Sequence, residues 1–353
     1  MKKTFKSTVI CAIVVLLSFA MSISSSFAQQ SNSLNENIQQ TADYLYNLID
    51  GEITAYDGTT ILNLIKAGKD CSSLAEQLKS TDWSSLTYAQ LAINAAAVKM
   101  AGGEADKPEF TDEINLSVEN PYNLCTLLSL LSEDETEIKQ SVIAALKAYY
   151  NKESGNGFDY YGFSADTNGL FYGALAPYAA EDEELAGMLT DALGYLDKVK
   201  SDAGYGFSEE YPDANASSTA GALTAFAAAG DKSAADSTYK MLMTYASATE
   251  IGAFEYGGFV STYSTTDALR AMLDYSKIAE DEPVPTATST QEAEASPTNE
   301  PTPSSTPENT PVPNPETGIY FYTNGTSVYV AAILAAAVTV FMVRGKNKKT
   351  CGR

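Results

Sequence analysis

The chain has 353 residues, 44% of them hydrophobic, and carries 22 basic and 45 acidic residues but no histidine. The apolar content is sufficient for one globular core of ordinary size once non-globular ends are set aside. The acidic balance argues against nucleic acid and anionic membrane surfaces as partners, and the lack of histidine excludes histidine-based nucleophile triads and ordinary zinc hydrolysis.

Residues 1–28 form a predicted secretory signal peptide. Three lysines precede an apolar stretch, and the small-residue pattern Ser26-Phe27-Ala28 supplies a cleavage site. The apolar stretch is short for a membrane span, so cleavage after Ala28 is favoured over a retained anchor. The mature chain is therefore expected to be exported.

Residues 31–278 carry a repeating helical pattern. Residues 138–149, 185–196 and 235–246 share one apolar face at helical spacing, and each stretch follows polar or acidic residues that are typical of a helix start. Second helices are predicted around Leu175, Leu223 and Leu269, with weaker copies around Leu62, Ala96 and Leu128. The pattern predicts six helical hairpins, which must stack as a closed ring or as an open solenoid.

Gly-aromatic turns precede the later second helices. They are NGF at Asn156, YGF at Tyr205 and GGF at Gly257. With the hairpins, these turns resemble the α/α toroid of the terpenoid-cyclase and prenyltransferase superfamily, most strongly over residues 137–275. The resemblance implies an all-α fold, an (α/α)6 toroid with Ala-rich second helices inside and the longer first helices outside.

The superfamily includes both enzymes and carriers. Prenyltransferases hold zinc partly through histidine, which this chain lacks. Squalene-type cyclases use a D-x-D-D acid motif, and the nearest approach, residues 181–184, lies at a predicted helix start. Cobalamin carriers are a non-catalytic branch, but they close over their ligand with a further domain. The resemblance implies a ligand-binding or adhesive role without metal or required cofactor, with a corrinoid, another small hydrophobic molecule or a glycan as ligand.

Tyrosines and aspartates gather before the predicted second helices, at one rim of the expected ring. The candidate ligand-binding residues are Tyr56, Asp57, Tyr122, Tyr160, Asp166, Tyr211, Asp213, Tyr263 and Asp267. The competing interpretations are that the aspartates cap helices and that the aromatic rings belong to the core. The alternative to binding is a carbohydrate-active or cyclase-like enzyme that uses two of the four aspartates as a carboxylate pair.

A proline-rich stalk is predicted to follow the helices, at residues 279–313. The stretch from Ile278 to Thr317 holds nine of the 13 prolines and neither lysine nor arginine. Such a composition cannot bury enough apolar surface to offset its chain entropy, and its prolines favour extended geometry. The stalk is therefore expected to be disordered and to separate the helical body from its attachment point.

The chain ends with a pentapeptide, an apolar segment (residues 319–343) and a basic tail (residues 344–353). The pentapeptide is Asn314, Pro315, Glu316, Thr317 and Gly318. This order resembles the cell-wall sorting signals of Gram-positive surface proteins, in which a sortase cuts between Thr and Gly. Asn314 stands where Leu is most common, which leaves the sortase class open. A plain single-span anchor is the alternative.

The sorting resemblance implies sortase and peptidoglycan as partners and a wall-anchored, extracellular location. The membrane is then contacted only through the apolar segment before sorting. Without the signal lysines and the basic residues beyond Gly318, the body keeps 14 basic and 45 acidic residues, a net charge of −31. Its two cysteines, Cys71 and Cys125, are equally compatible with a disulfide and with two buried thiols.

Overall fold

A computed structural model describes residues 32–111 and 114–279, together with residues 311–313 and 320–322. The chain divides into two compact units, residues 1–284 and 285–353. In the second unit, Pro311–Pro313 and Tyr320–Tyr322 pair as antiparallel strands. The predicted signal peptide, sorting motif and basic tail lie outside the described residues, as does most of the stalk and of the apolar C-terminal segment. No helix in the described ranges is long and apolar enough to cross a bilayer.

The described part of the first unit is all-α, apart from two pairs of very short strands. Its α-helices are α1 (Leu34–Ile49), α2 (Gly58–Lys66), α3 (Ser72–Ser80), α4 (Tyr88–Met100), α5 (Pro121–Leu128), α6 (Thr136–Lys147), α7 (Ala165–Leu175), α8 (Glu183–Lys198), α9 (Ala216–Ala229), α10 (Lys232–Met243) and α11 (Thr262–Ala279). The strands are β1 (Lys200–Ser201), β2 (Gly204–Tyr205), β3 (Glu255–Tyr256) and β4 (Phe259–Val260).

Six of these helices contact one another in a closed cyclic order. They are α2, α4, α5, α7, α9 and α11; each contacts the next, and α11 contacts α2. We call them the inner helices. The other five, the outer helices, each pack against one or more inner helices. The six inner helices contain the six predicted second-helix positions.

The outer helices bury a single apolar stripe, as the sequence pattern predicts. In α6 the buried residues are Ile138, Val142 and Leu146, which recur at helical spacing. The acidic stretches act as helix starts: Asp182 Oδ1 accepts a hydrogen bond from the Leu185 amide at 2.9 Å, and Asp231 Oδ1 accepts one from the Ala234 amide at 3.0 Å. The D-x-D-D-like stretch is therefore a helix cap.

Inner helices approach one another closely because their contact residues are small. All residues of α9 from Ala216 to Ala227 are buried. A β-carbon on Gly173 of α7 would lie 2.6 Å from the Thr224 methyl group of α9, and one on Gly221 would lie 3.0 Å from the Ala165 carbonyl oxygen. The glycines thus allow the two helix backbones to touch.

The third predicted hairpin lacks its first helix, which corrects the expectation of six complete hairpins. The described residues between α4 and α5 hold only a 3₁₀ turn, Leu116–Val118. This stretch contains Gly102, Gly103 and Pro108, which disfavour a continuous helix. The inner helix α5 is nonetheless present.

The three Gly-aromatic turns align with one another, but in a different register from the one that the sequence motif predicts. The buried aromatic residues of the three turns are Phe158, Tyr205 and Phe254, whereas Phe207 and Phe259 are 41% and 64% exposed. The backbone amide of each buried aromatic residue donates a hydrogen bond to the side chain of the fourth residue of the following inner helix. The pairs are Phe158 to Asn168 Oδ1 (2.9 Å), Tyr205 to Thr219 Oγ1 (3.1 Å) and Phe254 to Thr265 Oγ1 (2.9 Å).

Candidate functional site

Neutral polar residues cap the helices α7, α9 and α11. Ser164 Oγ accepts from the Thr167 amide at 3.0 Å, Asn215 Oδ1 from the Ser218 amide at 2.9 Å, and Ser261 Oγ from the Ser264 amide at 3.2 Å. The interpretation of Asp166 and Asp267 as caps is therefore wrong, since serine residues fill that position. Asp166 is the second residue of α7 and Asp267 the sixth residue of α11, so both lie inside the helices, within two turns of the start.

The first turns of four inner helices lie side by side. The Tyr122 hydroxyl of α5 and the Thr167 hydroxyl of α7 are 3.0 Å apart, and the Ser217 hydroxyl of α9 and the Ser264 hydroxyl of α11 are 3.0 Å apart. Each of these two hydrogen bonds joins the residue at position 2 of one helix to the residue at position 3 of the next. The joined helices therefore run parallel, with their starts aligned. Polar groups near these starts consequently converge.

The convergent groups form a set that we call the amino-terminal cluster. It comprises Tyr122, Asp166, Thr167, Ser217, Ser218, Tyr263, Asp267 and Arg270. Four of the nine candidate residues from the sequence, Tyr122, Asp166, Tyr263 and Asp267, belong to it. They come from α5, α7 and α11, which are separate in sequence and meet because the inner helices are neighbours.

Asp166 is one of two members of the amino-terminal cluster that have a buried polar atom without a hydrogen-bond partner. Its Oδ1 atom is buried and has no hydrogen-bond partner. Burial raises the pKa of Asp166 to about 6, and the charge of Asp267 adds to the increase, while the Ser218 hydroxyl and Arg270 oppose it. A carboxylate in this state is disfavoured in the folded protein and would be stabilised by a donor from outside.

Asp267 has a partner within its own helix. Its side chain is buried, and its Oδ1 accepts a hydrogen bond from Arg270 Nη2 at 2.8 Å. Burial raises the pKa of Asp267, whereas Arg270 and Ser217 act in the opposite direction. Arg270 Nε is buried without a hydrogen-bond partner. The pair thus leaves the Nε donor of the guanidinium unused.

Tyrosine rings surround these charges. The charge of Asp267 raises the pKa of Tyr263, and burial followed by the charge of Asp166 raises the pKa of Tyr122. Tyr160 contacts Tyr122 edge-to-face, with ring centroids 5.7 Å apart, and Tyr161 lies against Tyr160 at 4.6 Å. A fifth candidate residue, Tyr160, therefore joins the cluster through its ring.

The remaining candidate residues lie apart from the amino-terminal cluster. Asp57 accepts from the amide and the hydroxyl of Thr54, both at 2.7 Å, and Tyr56 beside it is exposed. Tyr211 and Asp213 are exposed in the turn before α9. Within the described ranges, no hydrogen bond or ring contact links these four residues to the cluster.

Sequence reasoning missed Arg270. Arg270 occurs in DALRAM, in the middle of the inner helix α11, and three residues after Asp267 it is placed for a contact on one helix face. This spacing is the signal that could have identified it. Ser217 and Ser218, which the sequence analysis did not single out as candidate residues, also belong to the cluster.

The two cysteines of the helical body are buried and unpaired. Burial raises the pKa of the Cys71 thiol to about 11 and raises that of Cys125 as well. Protonated, buried thiols of this kind are weak nucleophiles. Both cysteines act as core residues.

Known proteins add no assignment to this geometry. No model of a known protein family matches the chain, and no curated protein is significantly similar to it.

Proposed function

We propose that this protein is a ligand-binding α/α toroid displayed on the surface of a Gram-positive bacterium, and that its ligand lies over the amino-terminal cluster. The cyclic contact order of the six inner helices supports the toroid. Aligned helix starts at one end of that ring bring together hydroxyl, carboxylate, guanidinium and aromatic groups. Such a mixture of a few polar groups within aromatic walls is typical of ligand sites.

The observation that carries this proposal is the buried, unpartnered Oδ1 atom of Asp166. A buried acceptor without a donor costs about 1–3 kcal/mol, and more when it is charged. Asp166 lies beside Asp267 in the same cluster, which increases that cost. A ligand that donates a hydrogen bond to Asp166 would remove the penalty, and this favours binding over a purely structural role.

Surface display is the second part of the proposal. It depends on the order of signal peptide, helical body, proline-rich stalk and sorting motif in the sequence. A stalk of this composition would hold the binding body away from the wall to which Thr317 is joined. Sortase and peptidoglycan are the partners that this arrangement requires.

Catalysis by a carboxylate pair is the second candidate function. The pKa of Asp166, about 6, would let it exchange a proton near neutral pH, and Asp267 is close enough to influence it. Binding is preferred because Arg270 holds the carboxylate of Asp267 and only 6% of that residue is exposed. A base or nucleophile needs access that this pairing reduces.

A thermal-shift screen of the intact protein tests the binding function. Cyanocobalamin, farnesol and a set of oligosaccharides would be added to wild type, Asp166→Ala and Asp213→Ala, the last as an exposed aspartate outside the cluster. We expect one class of compound to raise the melting temperature of wild type and Asp213→Ala, but not that of Asp166→Ala. A shift that survives in Asp166→Ala, or no shift with any class, would refute binding at the cluster. Conversion of an added compound into product would favour the enzyme.

A further inference from the structure

The unmet hydrogen-bonding groups of the amino-terminal cluster restrict the chemistry of its ligand. Asp166 Oδ1 is an acceptor without a donor, and Arg270 Nε is a donor without an acceptor. Purely apolar ligands would satisfy neither group. Hydroxyl groups both donate and accept, so neighbouring hydroxyls on one molecule match the two groups together.

Aromatic rings are exposed at the same end of the inner helices. The turns that precede α7, α9 and α11, with the first residues of α11, expose Tyr161, Phe207, Tyr211, Tyr256, Phe259 and Tyr263. Rings with an apolar face and a nearby polar group suit a partner that is itself apolar on one face and hydroxylated at its edge. Pyranose rings have this character. Several separate rings suit a chain of sugars better than a single one.

Tyr161 is the most exposed of these rings, at 88%. Among the described residues it alone combines a side chain with a positive φ, of 55°. The turn is held by Asp159, whose Oδ1 accepts from the Gly162 amide at 3.0 Å, and by Tyr160, which lies beneath the ring. A strained turn that projects an aromatic ring into water is more typical of a binding surface than of a core.

Charge decides between neutral and acidic sugars. The cluster holds two aspartates and one arginine, and the body without its signal and tail carries a net charge of −31. An acidic polysaccharide would be repelled by this field. The favoured ligand is therefore uncharged.

We propose that the amino-terminal cluster binds a neutral oligosaccharide, with hydroxyls of one sugar at Asp166 and Arg270 and adjoining sugars against the exposed aromatic rings, Tyr161 first among them. This inference rests on the proposed binding function and gives it a ligand class. A corrinoid, whose amide groups also donate and accept, is the competing ligand that the test must separate.

The test is binding of the intact protein to an array of neutral and acidic oligosaccharides, followed by titration calorimetry. The calorimetry uses the best neutral hexasaccharide, hexagalacturonate and cyanocobalamin. We expect neutral glycans to be retained and hexagalacturonate and cyanocobalamin not to bind. Asp166→Ala should weaken the affinity for the neutral hexasaccharide by about tenfold or more, Tyr161→Ala by several-fold, and Asp213→Ala by less than about twofold.

Two further comparisons keep the outcome interpretable. Tyr161→Ala changes an exposed side chain, so its effect does not depend on a fold disturbed by Asp166→Ala. Asp166→Asn keeps an acceptor oxygen and should lose less affinity than Asp166→Ala. Retention of no neutral glycan, or affinities that none of these substitutions changes, would overturn the inference. Binding of cyanocobalamin that depends on Asp166 would overturn the glycan assignment and leave the binding function standing, whereas no binding in any class would remove both.

Discussion

Gly169 of α7 faces Gly221 of α9 so closely that a β-carbon built on Gly169 would lie 2.1 Å from the Gly221 carbonyl oxygen. The atom in the way is backbone, so it cannot rotate aside as a side chain would. Because both glycines belong to inner helices, the contact fixes how near two neighbouring members of the ring come. A methyl group is sufficient to disturb it.

Substitution of Gly169 should therefore destabilise the protein. We expect Gly169→Ala to lower the free energy of unfolding by about 2 kcal/mol or more, as overpacking of a tight contact does. Gly187 of α8 is the matched control, since a β-carbon there would meet no atom within 4 Å. Gly187→Ala should stabilise by about 0.5–1 kcal/mol through helix propensity. Urea unfolding measures both, and equal effects would contradict the close packing.

The buried aromatic residues of the turns should contribute more to stability than their exposed neighbours. Phe254 is buried and donates its amide hydrogen to Thr265, whereas Phe259, in the same turn, is exposed. Phe254→Ala should cost about 3–5 kcal/mol because it leaves a cavity, and Phe259→Ala less than about 0.5 kcal/mol. Thermal and urea unfolding test this order. A larger loss of stability from Phe259→Ala than from Phe254→Ala would support the register that the sequence motif predicts, in which the aromatic residue after the glycine is the buried one.

Asp166 should make stability depend on pH. Its pKa is about 6 in the folded protein, against an ordinary value of 3.8, so the unfolded chain loses this proton first as pH rises. The contribution of Asp166 is therefore most favourable below about pH 4 and declines up to about pH 6, by at most about 3 kcal/mol. The charged groups that act on Asp166 in the folded protein are Asp267 and Arg270.

Asp166→Asn isolates this effect. The variant should be more stable than wild type at pH 7 to 8, because a neutral amide replaces a buried carboxylate beside Asp267. The advantage should shrink as pH falls and vanish near pH 4. Urea unfolding of both proteins from pH 3.5 to 8 supplies the measurement. A difference that is the same at every pH would show that Asp166 ionises normally.

Thr317→Ala tests the proposed attachment to the wall. Loss of the threonine at the predicted cleavage point should prevent transfer to a cell-wall amine, so the protein should become extractable with hot detergent. Thr302→Ala, in the stalk, is the control and should stay resistant to extraction. Unchanged resistance in Thr317→Ala would refute the sorting motif, and the single-span anchor would replace it.

Periodicity predicted the elements of the fold well but not their exact alignment. Helices such as α6 follow from spaced apolar residues, since burying one stripe is a local requirement. The register of the aromatic turns failed because Gly-Phe pairs recur at non-equivalent positions, and only packing decides which ring is buried. An outer helix before α5 was wrongly predicted because the weaker copy of the pattern around Leu128 implied a partner helix.

The site was predicted only in part because it depends on neighbours in the ring. Asp57 and Asp213, like Asp166, lie near the starts of inner helices, and the sequence offers no means of separating the three. The structure separates them, since Asp57 bonds to Thr54 and Asp213 is exposed. The pairing of Arg270 with Asp267 could have been predicted from their spacing, but the effect of Arg270 on Asp166 appears only once the inner helices are packed together.

Closure of the inner ring has a consequence for biosynthesis. The last helix of the described range 114–279, α11, contacts both α1 and α2, and Asn37 donates a hydrogen bond to Tyr239, 202 residues later, at 2.7 Å. This seam cannot form until translation has delivered nearly the whole helical body, so the two edges that meet there stay uncovered until late in folding. During that interval the open edge of one copy is complementary to the free edge of another, which makes the seam the place where domain swapping would begin.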